Sequence, residues 1–273
     1  MREGSLATSS GTIRYWVDDT AGSEAPWLVM LPGLTADHRL FDAQVTHFSS
    51  KANCLVWDPP AHGASRPFEL DFTLDGMAQM LGNLLDAEGI EHPVLIGQSM
   101  GGYVSQAFFG LYPGRASGFV SIDSAPLKRQ YYPTWEVKFL RHTKGMYQAI
   151  PFPILKPWGA WGAASTPHGR ELMRSFMDSY DKDEYVGLAA FGYRLLADAV
   201  EADRPYEPRC PVLLLCGKHD HAGDVKPFNR KWAQGEGFSL VWVPDAGHNS
   251  NVDNPAFVNA QIEEFVGECT GDA

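Results

Sequence analysis

The chain has 273 residues, 44% hydrophobic and 20% charged, with a formal net charge of -11 at pH 7. That composition fits a soluble globular protein whose core is large enough to need no staples. An acidic surface repels phosphate backbones, which argues against nucleic acid as a partner.

No apolar run reaches the roughly eighteen residues needed to cross a bilayer. The first residues, "MREGSLATSSGTIRYWV", lack the apolar centre of a signal peptide. The expectation is a cytoplasmic protein with no membrane partner. Its oligomeric state is not legible. Cys54, Cys210, Cys216 and Cys269 form no CxxC pair, and Cys54 and Cys216 sit inside apolar runs. Buried thiols are expected, not a disulfide framework.

In chain order, "TIRYWVD" (Thr12–Asp18) alternates like a half-buried strand. "WLVML" (27–31), "CLVWD" (54–58), "VLIGQ" (94–98), "GFVSID" (118–123), "VLLLCG" (212–217) and "LVWVP" (240–244) are nearly continuous apolar runs. Such runs suit strands covered on both faces in a parallel sheet. Between them, Leu74–Ala87 places Met77, Leu81, Leu84 and Leu85 on one helical stripe. In "DNPAFVNAQIEEFVGE", Asn254 is the expected N-cap and Pro255 the first helical residue, with Val258, Ile262, Phe265 and Val266 facing inward. Strands alternating with helices predict an α/β fold.

The alternation stops between about residues 125 and 208. That stretch is rich in aromatics and shows no buried strand. Leu172, Met173, Phe176, Met177 and Tyr180 repeat with helical spacing, and Asp183 is placed to cap a helix running to about Val200. "PFPILKPWGAWGAAS" reads as a Pro/Gly-rich loop. A helical insertion over one edge of the sheet is expected.

"GQSMG" (Gly97–Gly101) fits G-x-S-x-G between a predicted strand and a predicted helix. A serine on such a turn is held in strained backbone geometry, so its neighbours must be small. The turn lifts the hydroxyl above the sheet edge and aims the helix N-terminus at the reacting carbonyl. Ser99 is therefore the candidate nucleophile, and it needs a base.

His248, in "VPDAGHNSNVDNP" after the last strand, is the candidate base. His38, His62, His92, His142, His168, His219 and His221 are less well placed. The acid should follow a strand and precede the base. Asp220 after "VLLLCG" is the first choice, Asp123 after "GFVSI" a rival, and Asp224 a weaker one. His219, Asp220, His221 and Asp224 crowd one loop, but no second ligand cluster accompanies them, so no metal or other cofactor is expected. Candidate oxyanion donors are the backbone N–H groups of Leu34, in Pro32-Gly33-Leu34-Thr35, and of Met100.

The segments "LPGLTADHRLF", "WDPPAHGASRP", "GQSMGGY", "GKHD" and "DAGHNSNVDNP" stand in the order found in α/β-hydrolases. Over approximately residues 1–125 and 208–273 the chain resembles that superfamily, in its small esterase, enol-lactonase and haloperoxidase-like branch. The resemblance implies an eight-stranded, mostly parallel sheet flanked by helices, with a helical cap (126–207) inserted after strand 6. It implies Ser99, Asp220 and His248 as nucleophile, acid and base, with backbone at Leu34 and Met100 as the oxyanion hole. "AHGASRP" matches a structural turn of the family, which makes His62 scaffold. Gln98 departs from the His, Asn or Phe common before the nucleophile. It joins Trp135, Phe139, Trp158 and Trp161 as candidate substrate contacts.

The implied activity is cleavage of a small, largely apolar carboxylic ester or lactone. The same triad also serves carbon–carbon bond hydrolysis and perhydrolase or haloperoxidase-like chemistry. Arg39, Arg141 and Arg194 are the available cations for a diketo acid. A non-catalytic ligand receptor is the third reading, since fold alone does not prove activity.

Overall fold

A computed structural model describes residues 1–271. Eight strands form one sheet: β1 (Arg2–Ala7), β2 (Thr12–Asp18), β3 (Trp27–Leu31), β4 (Asn53–Trp57), β5 (Val94–Gln98), β6 (Gly118–Ile122), β7 (Val212–Gly217) and β8 (Ser239–Val243). Their spatial order is β1-β2-β4-β3-β5-β6-β7-β8. β2 runs antiparallel to β1 and β4, and the remaining pairs are parallel. Every residue of β4, β5, β6 and β7 is buried, as their unbroken apolar runs require.

Both edges differ from expectation. β1 has no apolar run and shows only exposed and half-buried residues, because its single neighbour is β2. Nothing in its side chains marks it as a strand. β8 is apolar but lies at the opposite edge, so only Val243 is fully buried.

Helices cover both faces. The core helices are α1 (Asp42–Phe48), α2 (Leu74–Glu88) and α3 (Met100–Leu111). The chain between β6 and β7 then forms α4 (Thr134–Leu140), α5 (Thr143–Ala149), α6 (Phe152–Ala163), α7 (Pro167–Asp178) and α8 (Lys182–Ala202). α9 (Val225–Glu236), α10 (Ser250–Asp253) and α11 (Pro255–Thr270) complete the chain. One face of the sheet packs on Leu81, Leu85, Val104 and Phe108 of α2 and α3. The other packs on Phe48 of α1 and on Val258 and Ile262 of α11, and Phe176 and Met177 of α7 join that cluster.

The caps follow the sequence at α11, where the Asn254 side chain accepts from the Phe257 N–H and Pro255 opens the helix. At α8 the cap is Asp181, not Asp183. Asp181 and Glu184 form a reciprocal capping box, and Asp183 sits in the first turn. Residues 152–163 are a helix rather than a loop. Pro153 lies in the first turn, where proline is tolerated, but Pro157 removes an internal hydrogen bond. Burial of Leu155 and Ala160, and the close approach of Gly159 to Met177 of α7, override that local cost.

Candidate active site

The parallel strands deliver their C-terminal ends to one edge of the sheet, where ligands of α/β proteins bind. Ser99 lies there, between β5 and α3, at φ 50 and ψ -114. A non-glycine residue held in such a region costs about 1–3 kcal/mol. The turn is fixed on both sides: the Ser99 N–H donates to the Ile122 carbonyl at 2.9 Å, and the Ser124 hydroxyl donates to the Ser99 carbonyl at 2.7 Å. A Cβ at Gly101 would overlap the Leu31 carbonyl, and one at Gly97 would lie 2.5 Å from the backbone of Gly101 and Gly102. No residue but glycine fits these two places without backbone movement.

Three distant side chains meet at this turn. Ser99 Oγ is 2.9 Å from His248 Nε2. His248 Nδ1 is 3.0 Å from Asp220 Oδ2. Asp220 is held in the turn after β7: its N–H donates to the Gly217 carbonyl at 3.1 Å, and its Oδ1 accepts from the Ala222 N–H at 2.7 Å. The Asp220 side chain is fully buried, and that of His248 is 16% exposed.

The rival acid occupies another place. Asp123 accepts the Gly217 N–H at 2.7 Å and the Ser250 N–H at 2.9 Å. Its carboxyl ties the end of β7 to the segment just beyond His248, without contacting the imidazole as Asp220 does. Burial, and then the charge of Asp220, push the Asp123 carboxyl well above the usual carboxylate range. For His248, burial alone would lower the pKa. Asp220, by charge and hydrogen bond, and Asp123, by charge, outweigh it and raise the imidazole from 6.5 to about 8.

The β3–α1 loop passes beside the serine. A Cβ on Gly33 would sit 3.1 Å from Ser99 Cβ and would overlap Gln98 Oε1. This brings the backbone at Leu34 close to Ser99, while Met100 begins α3 directly after it. The Leu34 side chain fills the space over Gly192 of α8, where a Cβ would lie 2.5 Å from it.

Gln98 is only 2% exposed. Its Nε2 donates to the His248 carbonyl at 2.8 Å and to Asn249 Oδ1 at 3.2 Å. Its contacts are thus with the loops that carry His248 and Leu34. Trp135, Phe139, Trp158 and Trp161 are each half or more exposed on α4 and α6. Trp161 stacks on His221, one residue beyond Asp220, with ring centroids 5.6 Å apart.

Two sets of residues near the site were not singled out from the sequence. Asp253 accepts from the N–H groups of Gly247 and Ser165 at 2.8 and 2.7 Å, and from Thr166 N–H and hydroxyl at 2.9 and 2.7 Å. It joins the α6–α7 turn to the His248 loop. The second set is phenolic. Tyr103 lies one turn of α3 beyond Ser99, and its hydroxyl feels Tyr193, Tyr132, Asp220 and Glu136. The spacing Ser99–Tyr103 was the available sign, since residues four apart share a helix face.

The other histidines have separate surroundings. His62 is buried with Nδ1 2.9 Å from the Pro60 carbonyl, and burial pushes its pKa down to about 4. His38 pairs with Asp58 at 2.8 Å and stacks on Trp16. Asp37, His38 and Asp58 form one group of metal-ligand type, and Asp123, Cys216 and Asp220 another. Asp37, His38 and Asp58 are held by Arg39, by one another and by backbone N–H groups, and Asp123 and Asp220 by the contacts given above. All four cysteines are free, and no helix among the described residues is long and apolar enough to cross a membrane.

Known proteins share this arrangement of strands. The chain is 24% identical over 270 aligned residues to 2-succinyl-6-hydroxy-2,4-cyclohexadiene-1-carboxylate synthase of Serratia proteamaculans, covering 89% of this chain and 94% of that protein. It is 24% identical over 243 residues to 3-oxoadipate enol-lactonase 1 of Acinetobacter baylyi, covering 85% of each. A thermophilic esterase from Thermogutta terrifontis superposes with a TM-score of 0.77 at 23% identity, covering 98% of this chain and 99% of that one. The profile of the Alpha/beta hydrolase family matches residues 28–261, and with that span the chain belongs to the family.

Proposed function

We propose that this hydrolase cleaves a carboxylic ester or lactone through an acyl-enzyme on Ser99. One observation carries the reading: the continuous hydrogen-bonded chain from Ser99 Oγ through both ring nitrogens of His248 to Asp220. Neutral His248 accepts the Ser99 proton as Oγ attacks the carbonyl carbon. The C=O electron pair moves to oxygen, and the N–H groups of Leu34 and Met100 receive that oxyanion. As it collapses, His248 gives its proton to the leaving alkoxide, which departs as the alcohol or the opened lactone hydroxyl. Water then repeats the cycle and releases the acid. Asp220 holds the imidazole and offsets its charge while protonated. Residues 126–207 act as the cap over this site.

The esterase and enol-lactonase names among the relatives support this choice. Cleavage of a diketo acid has less support, because the cations it needs are engaged elsewhere. Arg39 pairs with Asp37, Arg141 with Asp198 and Glu201, and exposed Arg194 lies over the Phe191 ring. A fluorophosphonate probe should label the folded wild type and leave Ser99→Ala unlabelled. Equal labelling of the two, or none of either, ends the proposal.

A further inference from the structure

Tyr132 presents an unusual buried group. It is 4% exposed, its ring packs on Phe228 with centroids 4.6 Å apart, and its hydroxyl has no partner other than the neighbouring Tyr103 hydroxyl. That hydroxyl lies beside the Tyr103 hydroxyl. Tyr103 and Tyr193 are only half-buried, so the cluster is not sealed. Tyr193 in turn accepts from the Tyr147 hydroxyl at 3.2 Å. Glu136 Oε2, near both Tyr103 and Tyr132, is buried without a partner.

We propose that Tyr103, Tyr132 and Tyr193 form a subsite next to Ser99 for an uncharged acyl group bearing a carbonyl oxygen, as in a ketone or amide. This rests on the ester or lactone reading and narrows its substrate class. The phenols supply donors that an acceptor oxygen can use. Burial raises the pKa of Tyr103 and Tyr132, so both stay protonated at neutral pH. The charged groups that act on Tyr103 are Asp220 and Glu136, both acidic. Glu136 itself is flanked by Asp224 and Lys231. A carboxylate on the substrate would meet Asp220 and Glu136 at this subsite, with Arg39 and Arg141 already paired and Arg194 lying out over Phe191. A neutral carbonyl avoids that repulsion and gives the paired Tyr103 and Tyr132 hydroxyls a further acceptor.

The test compares kcat/KM for four esters of similar length: ethyl hexanoate, ethyl 3-oxohexanoate, ethyl 5-oxohexanoate and monoethyl adipate. Wild type should favour at least one oxo ester over ethyl hexanoate by about tenfold, the equivalent of one good hydrogen bond. Monoethyl adipate should be the poorest of the four. Tyr132→Phe should pull the oxo-to-hexanoate ratio toward one, and Tyr103→Phe supplies a second variant should the first fold badly. A preference for monoethyl adipate, no oxo preference in wild type, or an equal loss on all four esters in both variants overturns the subsite. Failure to cleave any ester together with absent fluorophosphonate labelling overturns the Ser99 reading itself. Labelling with no oxo preference removes the subsite alone.

Discussion

The turn at Gly97–Gly102 and the helices α4–α6 are built by opposite rules. In the turn, backbone contacts dictate almost every residue: Gly97 and Gly101 have no room for a Cβ, and Ser99 is held in strained geometry from both sides. On α4–α6, Trp135, Phe139, Met146, Ile154, Trp158 and Trp161 stand 44–67% exposed. Their neighbours leave them free to vary. The turn is thus dictated by backbone geometry, and the outward side chains of α4–α6 stand under far looser constraints.

The largest expected effect lies in the turn. Ser99→Ala should lower kcat for ester hydrolysis by roughly 10⁴ to 10⁶ without unfolding the protein. Retention of substantial turnover, measured against a reagent blank, would break the assignment of the chemistry to this turn.

The packing contrast can be sharpened within a single helix. Leu155, on α6, is 4% exposed, and its neighbour Ile154 is 46% exposed. Leu155→Ala should cost about 2–5 kcal/mol in denaturant unfolding. Ile154→Ser should change stability by less than about 0.5 kcal/mol. Similar losses for both would mean that the outward stripe is covered by something in solution.

The electrostatic prediction lies between these extremes. On the proposed mechanism His248 must be neutral to accept the Ser99 proton, and its pKa is raised to about 8. Activity should therefore fall as pH drops below about 8. The Asp123 carboxyl is itself raised to about 8, so its charge is only partly developed where His248 titrates; Asp123→Asn removes that part, and the acidic limb of the kcat/KM profile should move slightly to lower pH. The variant also loses an acceptor for one of two backbone N–H groups, and some stability with it. An unmoved limb would remove Asp123 from the electrostatics of the base.

The same contrast explains what was legible in the sequence. The central strands, the glycine-flanked serine and the capping of α11 each carry a local signature, and the structure has each of them. β1 was not legible, because an exposed edge strand has no apolar pattern. α6 does not read as a helix because Pro153, Pro157 and the glycines around them outweigh helical spacing locally, and only the contact with α7 reverses that. Asp220 and Asp123 both follow buried strands, so the sequence puts Asp220 first but leaves Asp123 a rival; which carboxyl meets the imidazole depends on how β6, β7 and the His248 loop come together. The phenolic cluster joins residues 103, 132 and 193 through tertiary structure alone.

The contact between Ser99 and His248 spans 149 positions of the chain. Asp253 binds Ser165 across 88 positions, and Gln98 reaches Asn249 across 151. During synthesis the strained serine turn emerges long before His248, and the His248 loop finds its anchors only when almost the entire polypeptide is available. If Ser99 and His248 act as proposed, turnover is a late event of folding, and an activity assay on the refolding protein should read completion of the whole topology rather than formation of any one part.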